Sequence, residues 1–139
     1  VGNGRSTIQL KETFPQSTIT GIDISDVAIA QAKQIEITNI NFERRDVRDT
    51  GFSDESFDLI TAFQTHFHWQ DLEASFMELR RILKSDGMLL LACEYNKLSY
   101  FLPEVQSEEA FRRFLLLIGL ELITSQRKGS WILYKIVKH

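Results

Sequence analysis

Gly2, Asn3 and Gly4 form a glycine pair at the head of a helical stretch, and an acid, Asp23, follows nineteen residues after Gly4 in the run Gly21, Ile22, Asp23, Ile24, Ser25. Glycines at such a turn let the backbone approach a ligand closely, and an acid roughly 20 residues further on accepts hydrogen bonds from ribose hydroxyls. The spacing is therefore that of a nucleoside site in a doubly wound α/β fold. A second cluster is Phe63, Gln64, Thr65, His66, Phe67, His68 and Trp69. Imidazole titrates near neutrality, so His66 or His68 has the properties of a general base for an acceptor O–H or N–H. The same two positions also suit a helix cap and an ordinary loop residue. A metal pair is not expected, because no third ligand sits nearby in sequence. Cys93 lies in an apolar run and reads as a buried residue, not a nucleophile.

Alternating elements are needed to hold these groups. Residues 6–14 read as a helix entered from the glycine turn and stopped by Pro15, and residues 18–23 as a short β-branched strand. Ser25 or Asp26 caps a helix to about residue 36, with Ala28, Ala32 and Ile35 on one stripe. Residues 40–45 form a second strand and 46–56 a polar loop. Residues 57–63 are apolar enough for a strand covered on both faces. Leu72, Phe76, Leu79 and Leu83 give the clearest helical period, over 71–84, ended by Ser85, Asp86 and Gly87. Residues 88–93 form the next core strand, and 94–106 read as a loop holding Pro103 and several aromatics. Glu94, Tyr95 and Asn96 leave that strand at the sheet edge where ligands bind, with Tyr100, Phe101 and Leu102 as a lid or as packing on the core. Ser107 caps a helix stopped by Gly119, and two strands around Lys128 and Gly129 make a closing hairpin. Trp69 is expected to anchor the helix after it against the sheet.

Composition sets the outer bounds. A chain of 139 residues with 43% hydrophobic and 25% charged residues has the makings of one domain with a substantial core. The net charge of −3 and arginine pairs interleaved with acids argue against a nucleic-acid footprint. One cysteine rules out an internal disulfide and suits a reducing cytoplasmic setting. No apolar run has the length of a transmembrane helix. No apolar strand precedes Gly2, so the first strand of the fold is expected upstream of Val1.

Five segments, in order, resemble the class I S-adenosylmethionine-dependent methyltransferases, in particular the small bacterial type 11 kind. They are Gly2, Asn3 and Gly4; the run from Gly21 to Ser25; Arg45, Asp46 and Val47; the run from Asp54 to Ile60; and the run from Leu79 to Gly87, where Ser85 and Asp86 stand before the glycine in place of the usual Pro-Gly. The resemblance implies a doubly wound, mostly parallel Rossmann-like sheet with a C-terminal antiparallel hairpin. It implies S-adenosylmethionine held by Gly2, Asn3, Gly4, Asp23, Ile24, Asp46, Val47, Phe63 and Gln64. In that reading Asp23 takes the ribose hydroxyls and Ile24 packs on adenine. Asp46 receives the adenine amino group, and the Val47 backbone N–H faces the ring. Such an enzyme moves a methyl group to a small-molecule acceptor, with His66 or His68 as the candidate base. A non-catalytic nucleoside-binding or scaffold module of the same fold is the alternative. Thr7, where a dinucleotide fingerprint wants glycine, and the terminal hairpin speak against a nicotinamide enzyme.

Overall fold

Parallel pairing joins the strands that carry the expected site in each of two units, Val1–Gly51 and Phe52–His139. The computed structural model of the chain describes residues 19–23, 33, 40–63, 69 and 71–139. The expected helix over 6–14 lies outside these residues. Of the helix expected over 25–36 only Lys33 is described, and it is helical.

In the first unit β1 (Ile19–Asp23) runs parallel to β2 (Ile40–Arg44), with Ile19 opposite Ile40 and Asp23 opposite Arg44. The two strands end level, so whatever follows them leaves from one sheet edge. After β2 the chain turns back on itself, the Asp49 N–H donating to the Asp46 carbonyl at 3.1 Å. Arg45 knits this turn to the strand. Its guanidinium donates to Glu43 Oε1 at 2.9 Å and to the carbonyl of buried Thr50 at 2.5 Å. Gly51 follows with φ of 76°, and a Cβ there would stand 3.0 Å from the same guanidinium.

The second unit contains β3 (Phe57–Phe63), α1 (Leu72–Ile82), β4 (Leu83–Glu94), α2 (Tyr95–Phe101), a 3-10 turn (Pro103–Val105), α3 (Glu108–Leu117), β5 (Leu120–Lys128) and β6 (Trp131–Lys138). The sheet order is β3-β4-β6-β5; β3 and β4 are parallel, and β6 is antiparallel to both its neighbours. This is the mixed α/β sheet with a closing hairpin that the sequence led us to expect.

The Asp71 side chain caps α1 by accepting from the Ala74 N–H at 3.0 Å, while Arg80 and Arg81 sit in the last turn, where the helix dipole favours cations. The helix stops at Ile82, two residues before the expected end. Leu83 is extended and buried, and it pairs with Phe57, so strand pairing overrides its helical period. β4 is consequently longer than expected at its start. Between the pairs Phe57–Leu83 and Leu59–Met88 the register slips, leaving Lys84, Ser85, Asp86 and Gly87 to be absorbed as a bulge. Gly87 is the residue that makes this possible. A Cβ there would come within 2.9 Å of the Asp58 carbonyl oxygen and 3.0 Å of that of Lys84.

The amino end of β3 is tied to the end of α1. The Glu55 N–H donates to the Arg81 carbonyl at 2.9 Å and the Ser56 N–H to that of Ile82 at 2.8 Å. Arg81 itself holds the buried Glu78 carboxylate through two bonds, at 2.7 and 2.8 Å, and reaches Asp54 at 2.7 Å. A buried carboxylate needs that pairing to stay charged. The two bonds to Glu78, then that to Asp54, keep Arg81 firmly cationic.

One aromatic cluster joins both long helices to the sheet. Phe76 of α1 is fully buried and meets Trp69, Phe111 and Phe114 edge-on, at ring separations of 5.5, 6.0 and 5.8 Å. Phe111 in turn packs edge-on against Tyr134 of β6 at 4.8 Å. Trp69 thus anchors α1, as the sequence suggested. The Ser107 side chain caps α3, accepting from the Ala110 N–H at 3.1 Å, and Gly119 ends it with φ of 83°.

The segment 94–106 is not the loop the sequence suggested. Leu98, Leu102 and Val105 are buried at helical spacing, and that apolar stripe folds the segment as α2 and the 3-10 turn. Leu102 therefore belongs to the core and not to a lid.

Two substitutions test this account. Gly87→Ala forces a Cβ against backbone and is expected to cost about 1–3 kcal/mol. Phe76→Ala empties the aromatic cluster and is expected to cost about 3–5 kcal/mol. Chemical denaturation measures both, and a Gly87→Ala variant as stable as wild type would contradict the close approach.

Candidate functional site

Two sheet edges carry the candidate site residues, one in each unit. In open α/β sheets ligands bind outside the carboxyl ends of the strands. In the first unit that edge is formed by Asp23, the last residue of β1, and by the turn that follows Arg44 in β2. Level strand ends put Asp23 and the Asp46 turn on neighbouring exits from the sheet.

The turn is rigidly organised. Asp46 accepts from the Arg48 backbone N–H at 2.9 Å, and the Arg48 side chain reaches the same carboxylate at 3.1 Å to Oδ1 and 2.7 Å to Oδ2. Side-chain hydrogen bonding from Arg48, followed by its backbone bond, holds the Asp46 carboxyl below the usual carboxylate value. Asp46 is thus an ionised acceptor with a fixed orientation. Val47 stands at the tip of the turn, half-buried, and its N–H donates to nothing among the described residues. An anionic acceptor beside an open backbone donor complements a base edge that offers an amino group next to a ring nitrogen. The sequence did not single out Arg48 as the partner of Asp46. Its signal was the Asp-x-Arg spacing of a side chain reaching back over its own turn.

In the second unit the edge lies at the ends of β3 and β4, where Phe63 pairs with Ala92. Glu94 closes β4 and pairs with Trp131 at the start of β6, and the Tyr95 N–H donates to the Ser130 carbonyl at 2.8 Å. The Tyr95 hydroxyl accepts from Gln106 Nε2 at 3.2 Å, and the Arg127 guanidinium lies 3.8 Å over the centre of its ring. Gln106 and Arg127 went unmarked in the sequence, because only folding brings the 3-10 turn and the hairpin to Tyr95. Tyr100, expected near a lid, is 80% exposed. Cys93 is fully buried, and burial pushes its thiol up to about 11, so it is protonated and inert at neutral pH.

Of the expected site residues, Asp46 and Val47 are brought together in one turn, and Asp23 and Phe63 are described as strand-end residues. Gly2, Asn3, Gly4, Ile24, Gln64, His66 and His68 lie outside the described residues. Among the described residues no cluster of three His, Cys, Asp or Glu side chains could hold a metal, and no helix is long and apolar enough to cross a membrane.

Residues 1–91 match the methyltransferase domain family, a stretch that includes Gly2, Asp23 and Asp46 and runs across the boundary between the two units. The chain belongs to this family, the type 11 branch of the class I S-adenosylmethionine-dependent methyltransferases. Malonyl-(acyl-carrier protein) O-methyltransferase of Bacillus cereus is 35% identical over 94 residues, covering 66% of this chain and 34% of that protein. The chain spans about a third of the length of the curated relatives it matches first. A polyketide synthase-nonribosomal peptide synthetase of Aspergillus clavatus is 37% identical over 134 residues, which is 91% of this chain and 3% of that protein. Among solved structures, the complex between the Haloferax volcanii Trm112 methyltransferase activator and a methyltransferase gives a TM-score of 0.84 at 17% identity, covering 99% of this chain and 79% of that one. That likeness establishes the Rossmann-like methyltransferase fold.

Replacing Arg48 by Ala is expected to raise the Asp46 carboxyl part of the way back to its ordinary carboxylate value. The folded group lies below that value, so its stabilising contribution is present above the ordinary carboxylate range and lost as pH falls through the folded titration. Carbon-13 NMR titration of the Asp46 carboxyl reads this, and an unmoved midpoint in Arg48→Ala would refute the pairing.

Proposed function

We propose that this chain is an S-adenosylmethionine-dependent methyltransferase domain that transfers a methyl group to a small-molecule acceptor. The observation that carries the reading is the level register of β1 and β2, which sets the end of Asp23 beside the turn of Asp46 and Val47. Gly2, Asn3 and Gly4 would border the methionine side of the cofactor. Asp23 would take the ribose hydroxyls and Ile24 one face of adenine. Asp46 would accept from the adenine amino group, the Val47 N–H would donate to the ring, and Phe63 and Gln64 would line the wall. The ionised state of Asp46 and the Val47 amide, which donates to nothing among the described residues, fit that role.

S-adenosylmethionine, when bound, supplies a methyl group already activated on a sulfonium centre. The protein's task is then to align the acceptor in line with that methyl, exclude water and, for some acceptors, remove a proton. Positioning alone is worth roughly 7–11 kcal/mol of barrier. His66 or His68 would remove the proton, from the exit of a core strand. The name of the Bacillus cereus relative, an O-methyltransferase of a malonyl acceptor, supports oxygen as one acceptor atom.

Calorimetry of the full-length protein with S-adenosylmethionine and S-adenosylhomocysteine tests the reading. Binding is expected, and Asp23→Ala or Asp46→Ala should weaken it at least about tenfold through loss of charge-assisted hydrogen bonds. No binding at about 1 mM ligand would sink it. With an acceptor identified, removing the base among His66 and His68 should lower kcat by about 10²-fold or more and flatten the acid limb of the pH profile.

A further inference from the structure

Arg127 and Arg113 differ from the other arginines of the second unit in having no oxygen partner among the described residues, and of these two Arg127 is the one placed over a ring. Arg80 donates to the Gly119 carbonyl, Arg81 to Glu78 and Asp54, and Arg112 to the Leu122 carbonyl and Glu108. Arg127 makes no hydrogen bond or ion pair among the described residues. Its contact is the ring of Tyr95, 3.8 Å below the guanidinium carbon.

That contact is built from three separate segments. Tyr95 begins α2, and its N–H is fastened to Ser130 in the hairpin turn at 2.8 Å. Gln106, beyond the 3-10 turn, donates to its hydroxyl at 3.2 Å. Arg127 comes from β5, opposite Ile132, which also pairs with Cys93 of β4. Glu94 and Lys128 both pair with Trp131, one position further along. Side chains alternate along strands, so the Glu94 carboxylate belongs to the other face of the sheet and does not neutralise Arg127.

A guanidinium stacked on an aromatic ring keeps its in-plane N–H donors, and that planar fork matches an oxyanion bidentately. The contact places the guanidinium carbon over the centre of the ring, and Arg127 donates to no oxygen among the described residues. The stack also sits at the carboxyl edge of β4, the side on which an open α/β sheet binds ligands.

We infer that Arg127, held over the ring of Tyr95, is a specificity-determining anchor for an oxyanion, a carboxylate or a phosphate ester, on the methyl acceptor. This rests on the methyltransferase reading above and adds the class of acceptor: an anionic one. Arg127 touches a charged handle away from the reacting atom, so it governs acceptor affinity and not cofactor affinity.

The experiment uses the full-length protein with S-adenosylhomocysteine present. Succinate, methyl phosphate and uncharged succinamide are titrated in turn, while the Arg127 Nε–H and Tyr95 N–H resonances are followed by NMR. Saturable shifts are expected with at least one anion and none with succinamide. Arg127→Gln should weaken anion binding about tenfold, and Arg127→Lys, which keeps the charge but loses the fork, should fall between. The stronger of the two anions identifies the oxyanion. The absence of a saturable shift with either anion, or an affinity undiminished in Arg127→Gln, overturns the inference. Calorimetry with S-adenosylhomocysteine on the same samples keeps the two readings apart. It should give equal affinities for wild type and Arg127→Gln, and its failure in wild type would sink the methyltransferase reading whatever the anions do.

Discussion

The contact between Phe76, Phe111 and Tyr134 is the interaction on which the second unit depends. Each ring comes from a different element, so burying them together fixes α1 and α3 against the same face of the sheet. Edge-on aromatic pairs contribute beyond the area they bury, and here the pairs run in series from α1 to β6. With the helices fixed, the long strand β4 and the hairpin have a single register. The carboxyl edge bearing Tyr95 and Arg127 is a consequence of that register.

Arginine serves as the positioning group at several sites in this chain. Arg45 folds the chain after β2, Arg48 orients Asp46, Arg81 pairs with the buried Glu78 carboxylate, and Arg80 closes on the Gly119 carbonyl. The planar fork makes this possible, since one side chain satisfies two or three oxygens at fixed angles. The scattered arginine pairs that argued against nucleic-acid binding in the sequence are, in the structure, mostly engaged with the protein itself. Arg127 is engaged differently, over the ring of Tyr95, and makes no hydrogen bond or ion pair among the described residues.

Legibility varied with the range of the interaction. The strand 57–63, the Ser107 cap and the hairpin around Gly129 were readable because each is fixed by neighbours in sequence. The end of α1 was misplaced because Leu83 continues the helical period, yet its pairing with Phe57 is made across 26 positions of chain (83 − 57). The helix α2 was missed because its buried stripe of Leu98, Leu102 and Val105 is crowded by exposed and polar residues such as Asn96, Lys97 and Tyr100. At the candidate site, Asp46 and Val47 were legible as a motif, whereas the bonds from Arg48 that orient the carboxylate were not. The stack of Arg127 on Tyr95 was invisible, its two residues lying in separate elements.

The sequence alone determined the family and the order of elements, because glycine turns, acids at strand ends, caps and apolar periods are local features that survive without knowledge of packing. Tertiary structure alone decided the register of β1 against β2, the bulge that makes Gly87 indispensable, and the meeting of α2, the 3-10 turn and the hairpin at Tyr95. Those are contacts between distant segments, chosen by the competition of burial and strand pairing across the whole unit. The nucleoside motif could therefore be read as text, whereas the meeting of Arg127 with Tyr95 appeared only once the chain had folded.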